Sequence, residues 1–248
     1  MDHAAEMVKA AGFLDRAIGE IAGFHDKRAV RVLDFGCGAG DMLKALGRLG
    51  YDAYGCDIAV PAGDSDRIRK IEQRPYRIPY ADNFFDVVTS TSVLEHAKNP
   101  EEYMPEICRV LKPGGYAMHI LPAKWYLPSE PHMFVPLVNL TFPYCPTWWL
   151  ALWALLGVRN TLQQQLGWRE TVAMNRYFYD NQLIYLSGRQ YNALSRRFFG
   201  EHFWPMDFFV ANSYGGFAAL ARRVPLPKFW SWVSRNFRMA FLVQRKTA

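Results

Sequence analysis

Cysteine is sparse: the four residues Cys37, Cys56, Cys108 and Cys145 lie far apart, with no spacing that pairs ligands for zinc or a redox dithiol. That excludes a disulfide-stapled small fold and fits free thiols in a reducing, cytoplasmic setting. Long hydrophobic runs are missing too. The apolar stretch Trp148 to Val158 has 11 residues, well short of the ~20 that cross a bilayer. The opening, Met1 to Ala11, carries Asp2, Glu6 and Lys9 among small residues, which is not the pattern of a secretory signal. No internal repeat or low-complexity tract appears. Acid is scarce in one half only: residues 1–120 hold 15 Lys/Arg against 18 Asp/Glu, whereas residues 121–248 hold 14 against 5.

What is present describes a globular enzyme-sized chain. At 248 residues, 50% hydrophobic and 21% charged, it can bury a core without a metal or disulfides. All eight tryptophans fall between Trp125 and Trp232, in the basic half. The two halves therefore face different chemistry, and the second suits an anionic or amphipathic partner.

Residues about 4–24 carry apolar groups at helical spacing (Val8, Ala11, Leu14, Ile18, Ile21), which predicts a leading amphipathic helix. Strands are expected over 29–35, 52–58, 84–90 and 116–121, with helices over 41–49 and 100–111. Pro100 opens the latter and Pro113-Gly114-Gly115 stops it. Residues 68–77 read as a helix followed by a short edge strand. The rhythm breaks after Leu121 and resumes as a helix over 181–199, a strand over 201–210 and a closing strand over 238–244. This alternation predicts an α/β fold: a Rossmann-like, mostly parallel sheet with helices on both faces, a closing antiparallel strand, and a helical, aromatic-rich cap inserted after the fifth strand. The expected division is a cofactor-binding part with the leading helix at 1–121, a substrate cap at 122–180, and completion of the core with a further helical insertion at 181–248.

The sharpest motif is Val32-Leu33-Asp34-Phe35-Gly36-Cys37-Gly38-Ala39-Gly40, a strand running into glycine at every second position and then a helix. Such glycines let a backbone approach a ligand closely, and the helix N-terminus presents free N–H groups. The third glycine comes one residue earlier than in the dinucleotide fingerprint G-x-G-x-x-G. The next strand ends at Asp57, placed to accept hydrogen bonds from two ribose hydroxyls.

Asp34 to Gly40 resembles motif I of class I methyltransferases. Phe85-Asp86-Val87-Val88, Val93-Leu94-Glu95-His96 and Glu106 to Gly115 resemble the later signature of their type 11 branch. The resemblance covers about residues 30–121. It implies S-adenosylmethionine as cofactor, bound by Asp34, Gly36, Cys37, Gly38, Gly40, Asp57, Ile58 and Ser92. The glycines would face its methionine end, Asp34 would orient its amino group, Asp57 would hold the ribose and Ile58 would pack on adenine. Where relatives carry an acid for the adenine amino group, this chain has Arg74. A Glu-His pair with an acid three residues earlier binds metal in ubiquinone-pathway O-methyltransferases. That earlier position is Ser92 here, so no metal is expected.

A hydroxyl acceptor needs a base near its proton. His132, in Pro128-Ser129-Glu130-Pro131-His132 beyond the fifth strand, is the first candidate and His96 the second, while His119 inside a strand reads as core. The layout Glu-Pro-His, Phe134-Val135-Pro136 and an aromatic helix resembles methyltransferases of cell-surface glycans, so the expected reaction is O-methylation of a sugar in a glycan, glycolipid or related small molecule. The alternatives are a lipid, quinone-like or natural-product acceptor, or a non-catalytic docking protein. Spread positive charge and the lack of an Asn-Pro-Pro-Tyr-like motif argue against nucleic acid, and the aromatic helix over about 145–160 offers a peripheral membrane contact.

Overall fold

The computed structural model describes residues 3–60 and 66–247. Seven strands form one sheet in the order β3-β2-β1-β6-β7-β9-β8. They are β1 (Arg31–Phe35), β2 (Asp52–Asp57), β3 (Ile68–Lys70), β6 (Phe85–Thr91), β7 (Leu111–Pro122), β8 (Gly200–Phe203) and β9 (Met239–Lys246). All neighbouring pairs from β3 to β7 are parallel, and β9 lies antiparallel between β7 and β8. The Rossmann-like α/β sheet and the closing antiparallel strand are as expected.

Sequence neighbours in these strands go to opposite faces, which is what a pleated sheet covered on both sides demands. Val32, Val87, Met118 and Phe241 meet the helices α1 (His3–Glu20), α2 (Asp41–Arg48) and α7 (Met206–Asn212) through Leu14, Ile18, Leu46 and Phe209. Leu33, Val88 and Leu242 meet α3 (Pro100–Val110) and α6 (Gly188–Phe198) through Ile107, Tyr191 and Leu194. A third core belongs to the cap: Met133, Val135, Val138, Leu150, Tyr179 and Tyr185 pack among α4 (Thr147–Leu155), α5 (Trp168–Gln182) and their loops.

Three expectations are corrected. Residues 68–77 contain no helix: β3 pairs with β2, and the charged stretch after it folds as a small hairpin, β4 (Glu72–Gln73) with β5 (Tyr76–Arg77). The strand expected over 201–210 stops at Phe203. Pro205 cannot continue the ladder and instead caps α7, which buries Met206, Phe209 and Val210 on one face. The helix expected over 181–199 is two helices, because α5 ends at Gln182 and α6 starts at Gly188 behind the N-cap Ser187. Leu183 and Tyr185 thus join the cap core. Two further helices, α8 (Gly216–Arg223) and α9 (Pro227–Phe237), complete the insertion ahead of β9.

The chain order reverses between β1 and β6, and the crevice beyond the carboxyl ends of the strands opens at that switch point.

Candidate active site

The glycine turn between β1 and α2 takes backbone conformations that other residues resist: φ is +79° at Gly36, +50° at Gly38 and +78° at Gly40. A Cβ on Gly36 would lie 2.4 Å from Val93 Cγ1 and one on Gly40 2.7 Å from Ile68 Cδ1, whereas a Cβ on Gly38 would meet nothing within 4 Å. Gly36 and Gly40 are thus fixed by packing, and Gly38 faces open space. Asp57, at the tip of β2, ties the turn down: its Oδ2 accepts from the Gly38 N–H at 2.8 Å and its Oδ1 from the Ala59 N–H at 3.0 Å. Each carboxylate oxygen keeps a free lone pair beside Gly38.

Asp34 is buried within β1 at 4% exposure. Burial and then the charge of Asp57 push its pKa up to about 8, against a hydrogen bond from Thr89. A cationic group arriving here would ionise it. Ile58 is 52% exposed just past Asp57, a free apolar surface at the crevice. Ser92 follows β6 with φ +53°, donates its N–H to Ile120 O at 2.8 Å and is exposed. Cys37 is the residue of this set whose side chain turns away, because its Sγ packs where a Gly55 Cβ would stand, towards β2. The structure therefore places Asp34, Gly36, Gly38, Gly40, Asp57, Ile58 and Ser92 at or near the carboxyl ends of three neighbouring parallel strands, β1, β2 and β6.

The two histidines chosen as bases meet. Their Nε2 atoms lie 3.0 Å apart, with rings edge to face at 4.6 Å. Each is held through Nδ1: His96 bonds Gln182 O at 2.8 Å, and His132 bonds Glu130 Oε1 at 2.7 Å. With both Nδ1 atoms donating, two Nε2 lone pairs face each other, an arrangement that needs a shared proton or another cation between them. Glu130 is fully buried and also accepts from the N–H of His132 and Met133 and from Tyr185 Oη. Burial of His132 opposes its charge, but the hydrogen bond and charge of Glu130, with Glu95 beyond, outweigh it and raise its pKa above the usual 6.5. His96 goes the other way: burial first, and then His132, lower its pKa.

Glu95 lies beside the pair, 1% exposed, and neither carboxyl oxygen has a side-chain hydrogen-bond partner among the described residues. Burial lifts its pKa to about 7. Glu95, His96 and His132 offer donor atoms within 4.8 Å of one another, a set that zinc-type ions accept.

Glu130, Tyr185 and Gln182 were not singled out from the sequence. The Pro-flanked Glu-Pro-His segment was the available signal for Glu130; nothing local marks the other two, which arrive from α5 and the segment after it. His119 is core as read, bonded to Ser90 at 2.7 Å and Gln244 at 3.1 Å, and burial takes its pKa down to about 4. Three arginines of the basic half are engaged away from this pair: Arg159 bonds Leu166 O, Arg176 bonds Cys145 O and Asp180, and Arg197 pairs with Glu101.

The family model described as "Methyltransferase domain" matches residues 4–192. The chain belongs to that family. The methyltransferase uses S-adenosylmethionine, as the family does. Among relatives, a ubiquinone biosynthesis O-methyltransferase of Maricaulis maris (strain MCS10) is 30% identical over 157 residues, 52% of this chain and 62% of that protein. Its counterpart in Cereibacter sphaeroides (strain ATCC 17025 / ATH 2.4.3) is 32% identical over 131 residues, 42% of this chain and 53% of that protein. The methyltransferase thus covers less than two thirds of either relative. A solved phosphoethanolamine N-methyltransferase 2 from Haemonchus contortus, in complex with phosphomonomethylethanolamine and S-adenosylhomocysteine, shares the fold with a TM-score of 0.50 and 14% identity, over 94% of this chain and 53% of that one.

Proposed function

We propose that this methyltransferase transfers the methyl group of S-adenosylmethionine to a hydroxyl oxygen of a quinone-like ring. The expectation of a glycan acceptor gives way to this alternative, because the relatives at about 30% identity act in ubiquinone biosynthesis. The observation that carries the chemistry is the anchored pair His96–His132 beside the crevice.

The glycine turn leaves room for the cofactor against Gly38, Asp57 offers its spare lone pairs to the ribose hydroxyls, and Asp34 lies where an ammonium group would turn it into an anion. The cofactor supplies an activated methyl on a sulfonium. The chain has to align the acceptor oxygen with the sulfur–carbon bond and remove the hydroxyl proton. As the carbon–oxygen bond forms, the carbon–sulfur bond breaks, leaving S-adenosylhomocysteine. The proton passes to the facing Nε2 atoms, and the buried carboxylate of Glu130 stabilises the resulting imidazolium. Residues 1–121 serve the cofactor and 122–180 the acceptor, with the cap extended in effect to Tyr185.

No helix among the described residues is long and apolar enough to cross a membrane. Trp148, Leu152, Leu155 and Leu156, on or just after α4, are nevertheless exposed, which supports peripheral docking where a lipid-borne acceptor resides.

Labelled S-adenosylmethionine with a substituted catechol, a hydroquinone and a set of sugars tests the acceptor class. Label on the phenolic compounds and none on the sugars is expected; the reverse would end the quinone reading. Turnover that is lost with EDTA and restored by Zn²⁺ would hand Glu95, His96 and His132 to a metal instead of a proton.

A further inference from the structure

A second opening lies at the other edge of the sheet, where the ends of β7 and β8 flank the start of β9. The cavity is about 930 Å³ and shares no lining residue with the glycine turn, Asp57 or the histidine pair. Its walls carry aromatic side chains. Trp125 and Trp232 both pack on Phe237, with ring centroids 6.4 and 5.4 Å away, and are themselves 43% and 54% exposed. Trp204, on Tyr191 at 6.2 Å, forms another part of the lining.

The charges are one-sided. Lys124, Arg189, Lys228 and Arg235 line the cavity against the single carboxylate of Asp207, which already accepts the hydroxyl of Ser231. None of the four cations forms an ion pair among the described residues. Arg235 stacks its guanidinium on Trp204 at 4.8 Å, and partial burial lowers its pKa. Its Nη2 lies 3.7 Å from where a Gly188 Cβ would be, at the positive end of α6, so the local field is already unfavourable for a lone cation. Four like charges around one concavity draw an anion into it. A guanidinium stacked on indole still presents its N–H fork to a carboxylate or phosphate, and exposed indoles favour a flat ring.

We propose that this cavity is a second ligand site, for an amphipathic aromatic anion whose ring lies on the tryptophans and whose carboxylate or phosphate is held by Arg235 with Lys124 and Lys228. The site is separate from methyl transfer and stands whichever acceptor the methyltransferase uses.

Fluorescence titration with 1-anilinonaphthalene-8-sulfonate tests it, on protein saturated with S-adenosylhomocysteine. One bound probe per chain is expected. Arg235→Gln and Lys124→Gln should each weaken it about tenfold, as losing one charge-assisted contact does. Lys9→Gln, which removes the same charge from the exposed face of α1, should leave it unchanged. Displacement by 2-naphthoate or by 2-naphthyl phosphate, whichever acts at the lower concentration, names the acid. Thermal melts show whether each variant is folded, and Lys124→Gln carries the test if Arg235→Gln is not. No saturable binding, equal weakening by Lys9→Gln, or no displacement by either naphthyl acid would overturn the proposal.

Discussion

Asp57 has two jobs. It closes the glycine turn through the Gly38 N–H, and it presents the lone pairs assigned to the ribose. Asp57→Ala removes both, so S-adenosylhomocysteine should bind about a hundredfold more weakly or worse by calorimetry, given charge-assisted bonds of ~1.5–3 kcal/mol each. Wild-type affinity in this variant would unseat the ribose assignment. Glu130 sets the basicity of the pair next to it. The base form accepts a proton, so turnover should rise with pH through the titration of a pair whose His132 member sits above 6.5. Glu130→Gln keeps the shape but withdraws the charge, so His132 loses its raising influence. The acidic limb of kcat should move to lower pH, with a lower plateau. A plateau that drops while the limb stays put would make Glu130 a purely structural residue. Asp34, Gly36, Gly38, Gly40 and Asp57 were legible because their chemistry is local: a strand tip, a turn and the next strand tip. The partners of Glu130 and His96 were not, since Tyr185 lies 55 residues from Glu130 and Gln182 lies 86 from His96.

Secondary structure was readable where burial or turn chemistry was unambiguous. β1 is buried from Val32 to Phe35 and β6 from Val87 to Ser90, and Pro100 marks the start of α3 in sequence and structure alike. Residues 68–77 misled because a charged segment can be a helix face or an edge strand, and pairing with β2 decides it. Residues 201–210 misled because a stretch rich in aromatics hides a change of period at Pro205. The join of β1 to α2 allows a prediction. In Gly36→Ala, the new Cβ would have to sit at φ +79°, 2.4 Å from Val93. A left-handed backbone costs ~1–2 kcal/mol and overpacking ~1–3 more. The urea midpoint should fall accordingly, and cofactor affinity with it, because Val93 begins the loop that carries Glu95 and His96. An unchanged midpoint would show that the turn can relax, and that its glycines answer to the ligand alone.

On the scale of the whole molecule, the cofactor side and the cap rest on different cores, and that makes their functions separable. The glycine turn is supported by the two sheet cores, whereas the loop with Glu130 and His132 is supported by Met133, Val138, Leu150 and Tyr179 in the cap. Leu150 is fully buried there. Leu150→Ala leaves a cavity costing ~2–5 kcal/mol, borne by the smallest of the three cores. The cap should loosen while the sheet stays closed, because none of the residues of the Leu150 cluster belongs to either sheet core. His132 then loses its fixed approach to His96, and turnover should fall at least tenfold while S-adenosylhomocysteine binds as in wild type. Hydrogen exchange should report the cause directly, with protection lost over residues 130–185 and kept over 31–57. If cofactor affinity fell in step with turnover, cap and sheet would be one cooperative unit. The assignment of the first half to the donor and of the cap to the acceptor would then lose its physical basis.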